Sequence, residues 1–187
     1  MPKVVFRPSP LLYPLPLALV SCVNAQGEVS VFTASWLGVA STTPPFLTLG
    51  VRPYRWSYQA IKETGEFVVN IPTQELLEAV DICGHTGSRE ERIKKAGLTL
   101  LQASQVKAPI VAQCPVNLEC RVREELALNS HRLFVAQVVA VHVDQEVLEP
   151  EGFINYARLN PIIYIGNEYW SVGERLGTSG FTLSKSR

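Results

Sequence analysis

Two adjoining stretches in the second half of the chain leave little choice of fold. From Val116 to Leu126 apolar and polar side chains alternate, with Val116, Leu118, Cys120 and Val122 set against Asn117, Glu119, Arg121 and Arg123. Successive side chains on a strand point to opposite faces, so a two-residue period means a strand. The pattern predicts one apolar face and one wet face. Asn129-Ser130-His131 reads as a turn. Leu133 to Val143 is apolar on both faces in its middle, as a strand at the centre of a sheet must be. A turn this short joins antiparallel neighbours.

Strands dominate elsewhere too. Leu17 to Val23, the turn Asn24 to Glu28 and Val29 to Thr33 read as a hairpin. Pro45 to Val51, Glu66 to Ile71 and Pro161 to Ile165 add further strands. Three short helices fit between them. The first runs from Trp56 to Thr64 and stops at Gly65, the second follows Thr73 as its cap, and the third opens on the capping box Ser88 to Glu91 and ends at Gly97. Asp144 to Asn160 reads as a polar loop with a helical turn, and the tail from Thr178 as loosely held. Many short strands without regular β-α-β alternation predict a mainly β fold, a closed or partly open antiparallel barrel. The 187 residues, 47% of them hydrophobic, suit one domain with a full core.

The stretch YPLPLALVSC, residues 13–22, has the outline of an exported, lipid-modified N-terminus. Pro14 and Pro16 interrupt the helix that an export signal needs, and cleavage before Cys22 would destroy the first hairpin. The stretch is therefore expected within the fold and the chain in the cytoplasm. Cys22, Cys114 and Cys120 sit in apolar surroundings that suit buried thiols. Seventeen basic and seventeen acidic side chains cancel, which gives no electrostatic reason for nucleic acid or a charged membrane as partner. No apolar run approaches the ~20 residues that span a bilayer. There is no G-x-G-x-x-G after a strand, no phosphate-binding G-x-x-x-x-G-K-[ST], no G-x-S-x-G and no H-E-x-x-H. His131 and His142 read as ordinary structural or solvated histidines, and Cys83-Gly84-His85 offers too few ligands for a metal.

Four stretches in order carry a resemblance: FTASWLGVASTTPPFLTLGVRPYRWSYQAIKETGEFVVNIPT, AVDICGHTGSREERIKKAGLT, KAPIVAQCPVNLECRV and LFVAQVVAVHVD. With the first hairpin they resemble the flavin reductase-like, FMN-binding split-barrel family, its flavoredoxin-type branch most closely, over roughly residues 14–166. The resemblance implies a six-stranded antiparallel Greek-key split barrel with a few short helices. It implies a homodimer with FMN near the interface and NAD(P)H as reductant, the nicotinamide stacking on the flavin without a dinucleotide-binding domain of its own.

The same resemblance proposes the site. Thr33-Ala34-Ser35-Trp36 matches the segment beside the flavin, where small residues admit the ring and hydroxyls can bond its edge. Arg52, Arg55, Ser57 and Tyr58 match the segment around the phosphate, with Ser57 placed to cap the helix and leave N–H groups facing an anion. His85, Ser88 and Arg89 belong to a loop that either approaches the cofactor or only caps a helix. Asn70 either reaches the flavin or holds a turn, and Tyr164 either stacks in the site or packs an interface. No residue stands out as a general acid or base. Three functions follow: an NAD(P)H-dependent FMN reductase, with a monooxygenase or another protein as acceptor; a flavoredoxin-type electron carrier; or a split-barrel binding module without redox chemistry.

Overall fold

The computed structural model describes residues 1–85 and 88–183. Its strands are β1 (Leu15–Pro16), β2 (Ala18–Val23), β3 (Val29–Ala34), β4 (Leu37–Thr42), β5 (Pro45–Val51), β6 (Glu66–Ile71), β7 (Leu100–Leu101), β8 (Ile110–Val111), β9 (Val116–Ala127), β10 (Arg132–Val143), β11 (Ile162–Ile165) and β12 (Glu168–Ser171). The helices are α1 (Trp56–Thr64), α2 (Leu77–Gly84), α3 (Arg89–Lys95) and α4 (Tyr156–Leu159). None of them is long and apolar enough to cross a membrane.

Seven strands form one antiparallel sheet in the order β3-β2-β6-β9-β10-β5-β4. Its two edges, β3 and β4, are consecutive in the chain and joined only by Ser35 and Trp36. The edges must therefore meet at that corner, and the sheet curls round a core that Ala34 of one edge and Leu37 of the other both enter. Register shifts at Val39/Ser41, Val135/Ala136 and Val138/Ala140 bend the strands enough to allow it. Phe67, Phe134, Leu49 and Val20 fill the interior, and α1 adds Tyr58, Ala60 and Ile61. The expected count of six strands is thus exceeded. A three-stranded sheet (β1-β11-β12) and the β7-β8 hairpin lie outside the main one.

Local signals place several elements well. α1 ends where expected, with Gly65 in the left-handed region at φ 67°. All six residues of β2 are buried, so residues 18–22 of the apolar N-terminal stretch are a barrel strand. All four cysteines are buried and unpaired. Burial pushes the Cys22, Cys114 and Cys120 thiols up to about 12, so they pack as neutral groups.

Two predicted helix caps are absent. Thr73 precedes a short 3-10 turn (Gln74–Leu76) without capping it, and its hydroxyl bonds Glu75 instead. Ser57 is the second residue of α1; the N-cap is Arg55.

The wet face of β9 is also only partly wet. Asn117 and Glu119 are buried because residues 103–111 fold over that half of the strand. Glu119 accepts hydrogen bonds from Ser104 N and Oγ (2.8 and 2.7 Å), Gln105 N (2.6 Å) and Val106 N (3.0 Å). His142 Nε2 lies 2.5 Å from the same carboxylate.

Asn70 takes part in the same fastening and not in a ligand site. Its amide donates to Leu19 O and Ser21 Oγ, and its carbonyl accepts from Val111 N (3.0 Å) and Asn117 Nδ2 (2.9 Å). Asn70→Leu leaves the buried Val111 N–H without a partner and is expected to destabilise the chain by about 2–3 kcal/mol. Urea unfolding measures this; an unchanged midpoint would mean that the network carries no net stability.

Candidate functional site

The corner that closes the barrel also opens a cavity of about 630 Å³. Four parts of the chain line it: the β3–β4 corner, the β5–α1 connection, the segment from the end of α2 into α3, and the β9–β10 turn.

At the corner, Thr33, Ala34, Ser35 and Trp36 all face the cavity. The Thr33 hydroxyl donates to Val80 O at 2.5 Å, so it ties α2 to β3 and leaves ligand contact to its neighbours. Trp36 lies flat on His131, ring centroids 4.3 Å apart and planes 7° from parallel. Gly50 makes room for this stack: a Cβ there would sit 3.2 Å from Trp36 Cβ. His131 Nδ1 is 2.9 Å from Ser130 Oγ. Burial, helped by the positive charge of Arg52, lowers the His131 pKa and favours the neutral ring.

The β5–α1 connection supplies Arg52, Tyr54, Arg55, Trp56 and Ser57. Arg52 Nη1 donates to the Tyr54 hydroxyl at 3.0 Å. No side chain caps the start of α1; Tyr58 N donates to Arg55 O at 3.1 Å, which leaves the N–H groups of Trp56 and Ser57 for an anion.

From the third side come Cys83, Gly84, Ser88, Arg89, Glu90 and Arg92. Ser88 both faces the cavity and caps α3, its Oγ accepting from Glu91 N at 3.3 Å. The Arg89 guanidinium lies over Trp56 at 4.0 Å and pairs with Glu28 at 3.2 Å. Among the described residues the Arg92 side chain donates to neutral oxygens, His85 O at 3.2 Å and Ser30 Oγ at 3.5 Å. The Nε of both arginines is buried and has no hydrogen-bond partner among the described residues. Burial pushes the Cys83 thiol up to about 11, the charge of Arg92 opposing this, so the cavity wall there is a neutral thiol.

The cavity thus carries four arginines (Arg52, Arg55, Arg89 and Arg92) against one carboxylate, Glu90, in a chain whose formal charges cancel. Such a concentration of one sign in a concave wall attracts an anion. Phe32, Trp36, Trp56 and His131 supply flat apolar surface beside it. Among the described residues no group of three or more His, Cys, Asp or Glu is placed to hold a metal.

Nine of the residues singled out in the sequence line this cavity: Thr33, Ala34, Ser35, Trp36, Arg52, Arg55, Ser57, Ser88 and Arg89. Four do not. Tyr58 is buried in the barrel, stacked on Phe134 with its hydroxyl donating to Glu125 at 2.8 Å. Asn70 lies in the network described above. His85 is exposed, with Nδ1 donating to Asp81 O at 2.6 Å. Tyr164 packs on Tyr169 in the outer sheet, 5.7 Å between ring centroids. Thr86 and Gly87 of the expected loop lie outside the described residues. Arg92 and His131 line the cavity without having been singled out for it. Arg92 shares a helix face with Arg89, three residues earlier, and that spacing was a usable signal. His131 had none, because Trp36 is distant in sequence.

Known proteins agree with this fold. A family model described as a flavin reductase like domain matches residues 11–173. An uncharacterized protein of Archaeoglobus fulgidus is 37% identical over 146 residues, 78% of this chain and 81% of that protein. Flavoredoxin of Desulfovibrio vulgaris superimposes with a TM-score of 0.88 at 27% identity, covering 96% of this chain and 98% of its own. Flavoredoxin of Methanosarcina acetivorans gives 0.88 at 26%, covering 99% of both chains. With the family model matching most of the chain and the fold in agreement, the chain belongs to the flavin reductase-like domain family.

Proposed function

We propose that the cavity binds FMN and that the protein is an NAD(P)H-dependent flavin reductase, working as a homodimer in the cytoplasm. The observation that carries the reading is the pairing of four arginines with flat aromatic walls in one 630 Å³ cavity. FMN has the matching parts, a dianionic phosphate on a flexible ribityl chain and a planar ring. Arg55 and Arg89, with the uncapped start of α1 and Ser57, would hold the phosphate. The corner Ala34-Ser35-Trp36 and the ring of Phe32 would wall the isoalloxazine. The bound cofactor supplies hydride chemistry, two electrons and a proton taken from NAD(P)H and passed on to an acceptor. The chain's own contribution is to bind, orient and exclude water. Neutral Cys83 puts no competing negative charge in the wall. The free cysteines suit a reducing compartment.

A second reading, a flavoredoxin-type carrier that takes electrons from another protein, is favoured by the likeness to two flavoredoxins over almost the whole chain. A visible spectrum of the purified protein, followed by anaerobic NADH and then NADPH, separates the readings. Rapid bleaching of a yellow protein supports the reductase. A yellow protein that ignores both nucleotides but is reduced by a donor protein supports the carrier. A colourless protein that cannot be reconstituted with FMN points to a binding module and sinks both. Ser35→Trp is expected to abolish flavin binding by filling the corner; an unaltered flavin spectrum in that variant would place the ring elsewhere.

A further inference from the structure

Cations and rings alternate along one side of the cavity. Arg89 lies over Trp56 at 4.0 Å, Arg55 and Arg52 stand 5.7 and 6.0 Å from the centre of the Tyr54 ring, and Trp36 lies on His131 at 4.3 Å. All of these residues line the cavity. The two ends of the series differ. At the α1 end Arg55 and Arg89 stand beside Ser57 and the free N–H groups of Trp56 and Ser57, the groups that would hold the flavin phosphate. At the other end is Arg52. It follows β5, and Val51 of that strand pairs with Arg132 of β10, which sets Arg52 and His131 at the same end of two neighbouring strands. The charge of Arg52 is felt at His131, the ring under Trp36. Arg52 therefore belongs to the corner where the isoalloxazine would lie.

Arg52 is not committed to an anion of its own chain. Its Nη1 donates to the neutral Tyr54 hydroxyl at 3.0 Å. Among the described residues it pairs with no carboxylate, whereas Arg89, Arg121 and Arg132 pair with Glu28, Glu66 and Glu125. Both Arg52 and Tyr54 are exposed, the tyrosine by 70%, so they stand at the mouth of the cavity and not in its depth. The hydrogen bond to Tyr54 holds the guanidinium in place while leaving its other donors free.

A flavin with its phosphate at the α1 end and its ring at the corner presents no phosphate to Arg52. A cation held at the mouth with no anion in front of it calls for a second anionic ligand. The reducing nucleotide is such a ligand. Every nicotinamide dinucleotide carries a pyrophosphate, NADPH carries a 2′-phosphate besides, and an arginine suits either.

We infer that Arg52, held by Tyr54, forms a second phosphate subsite at the cavity mouth, which takes a phosphate of the reducing nucleotide and not that of the flavin. This rests on the reductase reading, since an electron carrier has no nucleotide to bind there.

Calorimetric titration of NADP⁺ and of NAD⁺ into the oxidised, FMN-loaded protein tests it. Arg52→Ala is expected to raise the Kd for NADP⁺ about 10- to 100-fold, as loss of a charge-assisted hydrogen bond to phosphate does, and to change the FMN affinity far less. Tyr54→Phe should raise it about threefold, because the ring remains and only the hydroxyl that holds Arg52 is lost. A loss confined to NADP⁺ identifies the 2′-phosphate, and an equal loss for NAD⁺ identifies the pyrophosphate; either supports the subsite. Wild-type NADP⁺ and NAD⁺ affinity in Arg52→Ala overturns it, as does a wild type that binds neither nucleotide. An equally large fall in FMN affinity also overturns it and returns Arg52 to the flavin phosphate. The reductase reading fails differently. Binding of NADP⁺ that depends on Arg52, in a protein whose flavin NADPH leaves oxidised, would sink the reductase and keep the subsite. Rapid bleaching by NADPH with nucleotide affinity unchanged in Arg52→Ala would sink the subsite and keep the reductase.

Discussion

Glu119→Leu is expected to cost about 3–5 kcal/mol of stability and to unfold much of the chain at ordinary temperature. The carboxylate is fully buried and ends the hydrogen bonds of Ser104, Gln105, Val106 and His142. Leucine fills similar space but leaves the buried Val106 N–H and the part-buried N–H groups of Ser104 and Gln105 without their acceptor, a buried one costing about 1–3 kcal/mol. The loop over β9 would detach and expose Ala103, Val106 and Ile110 with it. Urea unfolding followed by circular dichroism measures the loss. Acid reads the same group. Burial by itself would raise the Glu119 pKa, but the hydrogen bonds from His142, Ser104 and Gln105 prevail and bring it from 4.5 to about 2. Because the folded value is the lower one, the stabilisation is complete above the unfolded value and is lost as pH falls from 4.5 to about 2. It amounts to about 3 kcal/mol. Glu119→Gln should remove this part of the acid dependence. An identical acid-unfolding curve in that variant would show that the carboxylate is not the group responsible.

The second large effect is on flavin affinity. Arg55→Ala and Arg89→Ala are each expected to weaken FMN binding about 10- to 100-fold, as loss of a charge-assisted hydrogen bond to phosphate does. Both lie beside the uncapped start of α1, and Arg89 is held there by Trp56 and Glu28. Arg89→Lys should restore little, since a lysine lacks the planar group that stacks on the indole. Quenching of FMN fluorescence on titration gives the affinities, and the urea midpoint checks that the fold is intact. Wild-type affinity in both alanine variants would move the phosphate to Arg52 or Arg92, which stand on the same two walls of the cavity.

Much of the fold was legible because it is written in local spacing. The alternation at Val116–Leu126, the apolar run at Leu133–Val143, the hairpin around Gly27 and the stop at Gly65 all became elements within a residue or two of their expected ends. Where the local signal was ambiguous, neighbours decided. Ser57 has the chemistry of a cap, but Arg55 adopts the extended conformation that starts the helix, so the serine turns into the cavity. The two-residue strands β1, β7 and β8 carry too few residues for a period to show, and β4 buries none of its six residues, so no apolar face marks it.

By itself, then, the sequence determined the core strands β2, β3, β5, β6, β9 and β10, the helix stop at Gly65, the cap at Ser88 and that the N-terminal apolar stretch runs into a barrel strand, because side-chain periodicity and backbone preference act within a few residues. Only the tertiary structure decided that the polar face of β9 is half dry, that Asn70 serves the core, and that Arg92 and His131 reach the cavity. A buried polar group is tolerated only where donors or acceptors arrive to meet it, and here they arrive from other segments of the chain. The spacing of residues along one strand carries no record of them.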